Sequence, residues 1–210
     1  MMDHCVGKMM RDRGITPEKL RKALESVPVF DEVLIALREA HALGAKLVVL
    51  SDANTWFIEK ILSHLGIRDI FSLVLSNRAT WDEDDQRRQI LRIRPFHSHR
   101  CERCPPNLCK GLVLQKLLRD DRQRRRVVYL GDGGGDFCPC VSLCPGNLIC
   151  ARAGWTLHKK MLQAASSGES GLAEVATWKD GSDILKSFRR YFRGCPADGG
   201  DDCKRTAARA

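Results

Sequence analysis

The chain has 210 residues, 43% of them hydrophobic and 29% charged. That composition excludes collagen-like, wholly disordered and membrane-embedded classes, and leaves room for one α/β domain with a small appendage. No apolar run approaches the roughly 20 residues that span a bilayer, and the opening MMDHCVGKMMRDRG holds no stretch of signal-peptide length, so a cytoplasmic protein without a membrane partner is expected.

The formal net charge of +9 is unevenly distributed. Residues 1–86 carry 11 basic and 14 acidic side chains, 87–126 carry 13 and 3, and 127–210 carry 11 and 9. The middle stretch, with Arg87, Arg88, Arg92, Arg94 and the run Arg122, Arg124, Arg125, Arg126, is a possible attractor for phosphate on a small substrate or a nucleic acid. Few aromatics are interleaved for base stacking, so a solvated loop and helix end are the expectation and a nucleic-acid partner is disfavoured. Ten cysteines without a secretory leader point to thiols rather than a disulfide framework. Cys101, Cys104 and Cys109 form C-x2-C-x4-C with His97 and His99 upstream, half of a zinc-site pattern.

In chain order, Thr16-Pro17 reads as helix cap and first helical residue, with Leu20, Ala23, Leu24 and Val27 at helical spacing. A second helical pattern runs from Asp31 to Gly44, followed by the strand-length run AKLVVL (45–50). SDAN (51–54) is capping chemistry ahead of another apolar stripe ending at Gly66, and IFSLVL (70–75) is the next strand. Residues 76–109 are polar and irregular, with an alternating piece QILRIR, and read as an insertion. Helical periodicity resumes over 110–118, and RRVVYL (125–130) is a strand running straight into GDGGGD (131–136). NLICAR (147–152) and AEVATW (173–178) are weaker strands, with helical patterns at 155–165 and 182–192, and the tail from 194 to 210 has the composition of a disordered segment. Strands alternating with helices predict a mostly parallel sheet whose ligands bind outside the carboxyl ends of its strands.

The chemistry is sought there. Asp132 and Asp136 flank three glycines at a strand's carboxyl end, where two carboxylates can face a hard cation such as Mg²⁺ or cap the next helix. The loop matches neither the dinucleotide fingerprint nor a Walker loop. Ser51 stands at the tip of another strand, where a hydroxyl and the following amides can hold an anion, and Lys110 opens a helix.

A strand-end serine, then a lysine, then a strand-end Asp pair, in that order, resembles the haloacid dehalogenase superfamily of phosphatases. The likeness is carried by VVLSDANTWFIEKIL, CERCPPNLCKG and YLGDGGGDFCP, and covers about residues 1–192. It points to the plant branch of inorganic pyrophosphatases and thiamine phosphate phosphatase-like proteins, relatives of the animal phosphoethanolamine/phosphocholine phosphatases. The resemblance implies a Rossmann-like core with a parallel sheet over 30–193, an insertion at about 76–109 and the remnant of a helical cap over 1–29. It implies that Ser51 and Lys110 bind the phosphoryl group, that Asp132 ligates Mg²⁺ with Asp136 supporting the metal site, and that Asp52 and Asn54 contact a small phosphorylated substrate or pyrophosphate. The chain departs from the family in one respect: the Asp-x-Asp-x-Thr motif that supplies nucleophile and general acid/base occurs nowhere in it. The resemblance therefore implies an N-terminal truncation without the first, central strand, which the family places between those ending in Ser51 and Gly131, so that those two either close up or stand about 10 Å apart. It also implies a phosphatase lineage whose present chain has no catalytic residue left and is inactive. The alternatives are a regulatory protein that binds phosphate without chemistry and a nucleic-acid binder through 87–126. Oligomeric state is not readable from the sequence.

Overall fold

The computed structural model describes residues 2–123, 125–168 and 173–193; Arg124 and the tail at 194–210 lie outside them. In chain order the elements are α1 (Met2–Asp12), α2 (Pro17–Glu25), α3 (Asp31–Ala42), β1 (Leu47–Ser51), α4 (Thr55–His64), β2 (Phe71–Ser76), β3 (Arg78–Glu83), β4 (Gln89–Arg94), α5 (Lys110–Asp120), β5 (Val128–Gly131), α6 (Phe137–Cys140), β6 (Leu148–Arg152), α7 (Thr156–Ser167), β7 (Glu174–Trp178) and α8 (Gly181–Arg193). The described residues form two compact units: those up to 29 with 44–100 and 106–108 in one, and 30–43, 101–105 and those from 109 onward in the other.

In the first unit β1 and β2 pair in parallel, in register from Val48 opposite Leu73 to Ser51 opposite Ser76. The return between them is α4, started by the Asn54 side chain accepting from the Phe57 N–H at 3.0 Å, an N-cap that satisfies one of the helix's orphan donors. Thr16 caps α2 in the same way through the Lys19 N–H. The stretch read as an irregular insertion is more ordered than its polarity suggests. QILRIR is β4, antiparallel to β3, and the hairpin turns at Asp84, whose Oδ1 accepts from the Gln86 and Arg88 N–H groups while Arg87 takes a left-handed φ of 56°. One face of β4 is apolar, and Leu91 and Ile93 pack with Val6 and Met10 of α1 and with Leu20 of α2. Val6 and Met10 lie four apart on one helical face, and the Met10 thioether accepts from the Leu91 N–H. Helices α1 and α2 and the β3–β4 hairpin therefore share one core, with Trp56, Phe57 and Trp81 at its margin.

The second unit holds a three-stranded parallel sheet in the order β5-β6-β7. The middle strand is apolar up to its last residue, Arg152, and Leu148, Ile149, Cys150 and Ala151 are all buried, as expected for a parallel strand covered on both faces. Helix α8 follows β7 and lies along α3, where Arg189 makes a two-pronged ion pair with Glu39. Gly181 allows that approach, because a Cβ there would stand 2.6 Å from the Phe30 Cβ and from a Glu32 carboxylate oxygen. Both units are thus α/β with parallel pairing, the expected class, and β1 and β5 belong to different sheets. No helix among the described residues is long and apolar enough to cross a membrane.

Candidate active site

The two strand tips flagged by the sequence are built differently. At the end of β1, the Ser51 hydroxyl accepts from the Ala53 N–H at 3.2 Å, which folds the chain back into the α4 cap. The loop's shape is imposed from the next strand. Asn77, 2% exposed, donates from Nδ2 to the carbonyls of Asp52 and Ala53, both at 2.8 Å, and accepts at Oδ1 from the Phe96 N–H. Asn54, fully buried, is occupied as the helix cap, so in this structure its amide oxygen serves the backbone. Beside it the Ser76 hydroxyl, opposite Ser51 in the register, is buried with no hydrogen-bond partner, the one such side-chain atom among the described residues.

In the second unit β5 ends at Gly131 and the chain makes a single 3₁₀ turn over Gly134–Asp136 before α6. None of Gly133, Gly134 and Gly135 has a left-handed φ, so the tightness of the loop comes from the turn and not from glycine-only backbone. The glycine that sterics do require is Gly131, where a Cβ would stand 2.8 Å from the Asp136 carboxylate. That carboxylate is folded back under the loop, 6% exposed. Its Oδ1 accepts from Lys110 Nζ at 2.8 Å and from the Tyr129 hydroxyl at 2.9 Å, and its Oδ2 from the N–H groups of Asp132 and Gly133 at 3.2 and 2.9 Å. Burial pushes the carboxyl up, but the Lys110 ammonium and the hydrogen bonds from Lys110, Gly133 and Tyr129 outweigh it and hold the group below its ordinary value.

Four donors on two oxygens leave Asp136 no lone pair directed at a cation. Asp132 is the complement: its carbonyl accepts from the Leu157 N–H, its carboxylate is half-buried, and no donor among the described residues reaches that carboxylate. A hard cation that keeps its waters needs one or two protein carboxylates, and of the two in this loop Asp132 is the one open to such a cation, while Asp136 shapes the loop.

Lys110 is the first residue of α5, capped by Cys109, and is 8% exposed. A buried ammonium at the positive end of a helix dipole is tolerated only with a compensating anion, and Asp136 is that anion. Lys110, Asp132 and Asp136 carry the motif positions expected from the sequence, whereas Tyr129, Asn77 and Gly131, which shape the two loops, were not singled out by it. Tyr129 lies within an ordinary strand pattern and Asn77 within a polar stretch, and neither carries a motif. Of the basic stretch, Arg88 pairs with Asp84 and Arg125 with Asp121, and Arg126 lies over the Tyr191 ring.

Comparison with known proteins identifies the family. Residues 1–191 match the family model described as Putative Phosphatase. The chain is 36% identical over 185 residues to inorganic pyrophosphatase 2 of Arabidopsis thaliana, covering 84% of this chain and 64% of that protein. It is 38% identical over 169 residues to a thiamine phosphate phosphatase-like protein of the same plant, covering 77% and 67%. To the human phosphoethanolamine/phosphocholine phosphatase it is 32% identical over 197 residues, covering 90% and 72%. The chain thus spans a little under two thirds of the Arabidopsis pyrophosphatase. A match that runs through both units, over a lysine and aspartate loop arranged to hold charge, places the chain in the Putative Phosphatase family of haloacid dehalogenase-type phosphatases.

Proposed function

We propose that this chain binds the phosphoryl group of a small phosphate ester or of pyrophosphate together with Mg²⁺, and does not turn it over. The observation that carries the reading is the buried Lys110–Asp136 pair at the amino end of α5. Lys110 brings an ammonium and the helix its unsatisfied N–H groups to one place, a combination that favours an anion of concentrated charge. Asp132 would hold Mg²⁺, which when bound neutralises phosphoryl oxygens. Ser51, Asp52 and Asn54 are assigned to substrate binding on the strength of their strand-end motif, with Ser51 offering its hydroxyl and Asn54 acting through the α4 cap. Relatives named as pyrophosphatase, thiamine phosphate phosphatase-like protein and phosphoethanolamine/phosphocholine phosphatase support the substrate class without choosing among its members.

Hydrolysis through a phospho-enzyme needs a carboxylate placed to attack phosphorus, and no Asp-x-Asp-x-Thr is present in this sequence. The test has two arms. Calorimetry with pyrophosphate, phosphocholine, phosphoethanolamine and thiamine phosphate should show binding that requires Mg²⁺, and phosphate release from the same panel should stay at the buffer rate. Turnover that disappears in Asp132→Asn would overturn the inactive assignment. Absence of binding by a folded chain, with and without Mg²⁺, would overturn the site.

A further inference from the structure

The short segment 101–105 belongs to the second unit, together with the chain from Cys109 onward. It brings Cys101 and Cys104 beside Cys109 and Cys138, and the four Sγ atoms all lie within 4.8 Å of one another. Cys138 stands 3.7 Å from Cys101 and 3.9 Å from Cys109. None of the four is in a disulfide, in contrast to Cys144, which is.

These separations are nearly twice the sulfur–sulfur bond of about 2.05 Å. They agree with the edge, about 3.8 Å, of a sulfur tetrahedron drawn around one ion at the Zn–S distance of about 2.3 Å. An iron–sulfur cluster places several irons and sulfides between its thiolates and would need them further apart. Hard cations prefer oxygen, so four converging sulfurs select a soft or borderline ion.

The surroundings suit such a site. The Cys104 N–H turns back to the Cys101 carbonyl, giving the C-x2-C pair the tight bend that aims both sulfurs one way. Cys109 is the N-cap of α5 and accepts the Leu112 N–H at Sγ, a hydrogen bond that fixes the direction of the sulfur. Gly111 makes room for the fourth ligand, since a Cβ there would lie 2.5 Å from the Cys138 Sγ. A cleft of about 380 Å³, lined by Cys101, Cys109 and Cys138 along with Arg103 and Gln115, leads to the cluster.

We propose that Cys101, Cys104, Cys109 and Cys138 bind one structural zinc ion. The half-pattern visible in the sequence is completed by a distant cysteine and not by His97 or His99. Cys109 adjoins Lys110, and Cys138 follows Asp136 by two residues, so the ion would fasten together the two segments whose charged residues meet at the Lys110–Asp136 pair. Closed four-thiolate zinc sites carry folding energy, and that is the role assigned here. The assignment stands on the sulfur positions and is independent of the phosphate-binding proposal.

The test uses the full 210-residue chain isolated under reductant. Elemental analysis should find one zinc per chain, and Co²⁺ exchange should give thiolate-to-cobalt charge-transfer absorption with the ligand-field bands of a tetrahedral ion, both removed by equimolar Zn²⁺. Cys138→Ser should lose those signals and Cys5→Ser should keep them. Gly111→Ala retains all four thiols but displaces one, and should lower zinc affinity about 10- to 100-fold, the scale seen when a supporting contact is removed. A folded, reduced wild-type chain that holds no zinc and gives no charge-transfer band would overturn the proposal, whatever the variants do. So would disulfides among the four in protein kept under reductant, and stoichiometric iron without zinc would overturn the identity of the ion.

Discussion

The Lys110 ammonium donates to Oδ1 of Asp136 at 2.8 Å, joining the first residue of α5 to the last residue of the glycine-loop turn, with both side chains about nine-tenths buried. Removing one partner of such a pair strands the other charge away from water, which costs about 3–5 kcal/mol. Lys110→Met and Asp136→Asn are each expected to destabilise the chain on that scale in denaturant titrations. The double variant leaves no stranded charge, and its loss should be smaller than the sum of the two. Strict additivity would show that the residues do not act as a pair.

Gly131→Ala tests the other constraint on the same carboxylate. The added methyl would stand 2.8 Å from the Asp136 Cγ and Oδ2, both fixed by the Lys110, Tyr129 and backbone donors. Overpacking of this kind costs about 1–3 kcal/mol, and here it also displaces the loop that presents Asp132. A variant as stable as the parent chain would mean that the loop yields freely. Gly133→Ala is the comparison, since its Cβ would meet the Asp136 Oδ2 at an ordinary 3.5 Å.

The order of helices and strands was legible because burial follows periodicity: LVVLS, FSLVLS and LICAR became parallel strands, and the Thr16-Pro17 and SDAN signals became helix starts. The hairpin of β3 and β4 was obscured because much of its sequence is polar, and the core that Leu91 and Ile93 meet is formed with α1 and α2 from a distant part of the sequence. The site was legible in its motif residues and illegible in its supports. Asp136 carries a motif position, but its service to four donors depends on Tyr129 and Lys110 arriving from other elements. Cys138 likewise joins Cys101, Cys104 and Cys109 only after folding, across 29 residues from the nearest of them.

Asp132→Asn separates metal binding from stability. The Asp132 carboxylate takes no hydrogen bond among the described residues, while its N–H and carbonyl, which the substitution preserves, hold the loop to Asp136 and to Leu157. Stability should therefore change by less than about 0.5 kcal/mol, as for substitutions that touch no buried partner. Mg²⁺-dependent pyrophosphate binding should be lost in calorimetry. Retention of that dependence would move the metal ligand elsewhere.

Asn77→Ala removes three hydrogen bonds at once, leaving the carbonyls of Asp52 and Ala53 to find water, while the Phe96 N–H keeps its second acceptor, the Asn107 carbonyl at 3.0 Å. Each buried group left unsatisfied costs about 1–3 kcal/mol, less where water reaches it, so a loss of about 3 kcal/mol is expected. Hydrogen exchange should speed up at Ala53 before it does in β1. Unchanged exchange at that amide would show that the Ser51 loop holds its shape without Asn77.

Cys150 gives the chain a measurable alkaline weakness. It lies in the middle strand β6, and burial, aided by the Glu174 carboxylate and opposed by Arg190, pushes its thiol up to about 12. In the unfolded chain the same thiol gives up its proton near pH 8.5. Between those two values the folded form holds a proton that the unfolded form has lost, so stability falls as pH rises, by up to about 1.4 kcal/mol per pH unit for this one group. Cys150→Ala lacks the group, and although it starts less stable through lost packing it should also lack this part of the slope. Between pH 8 and pH 10 the parent chain is therefore expected to lose about 2 kcal/mol more than the variant in guanidinium titrations. Parallel losses in the two proteins would show that Cys150 ionises as readily in the fold as outside it.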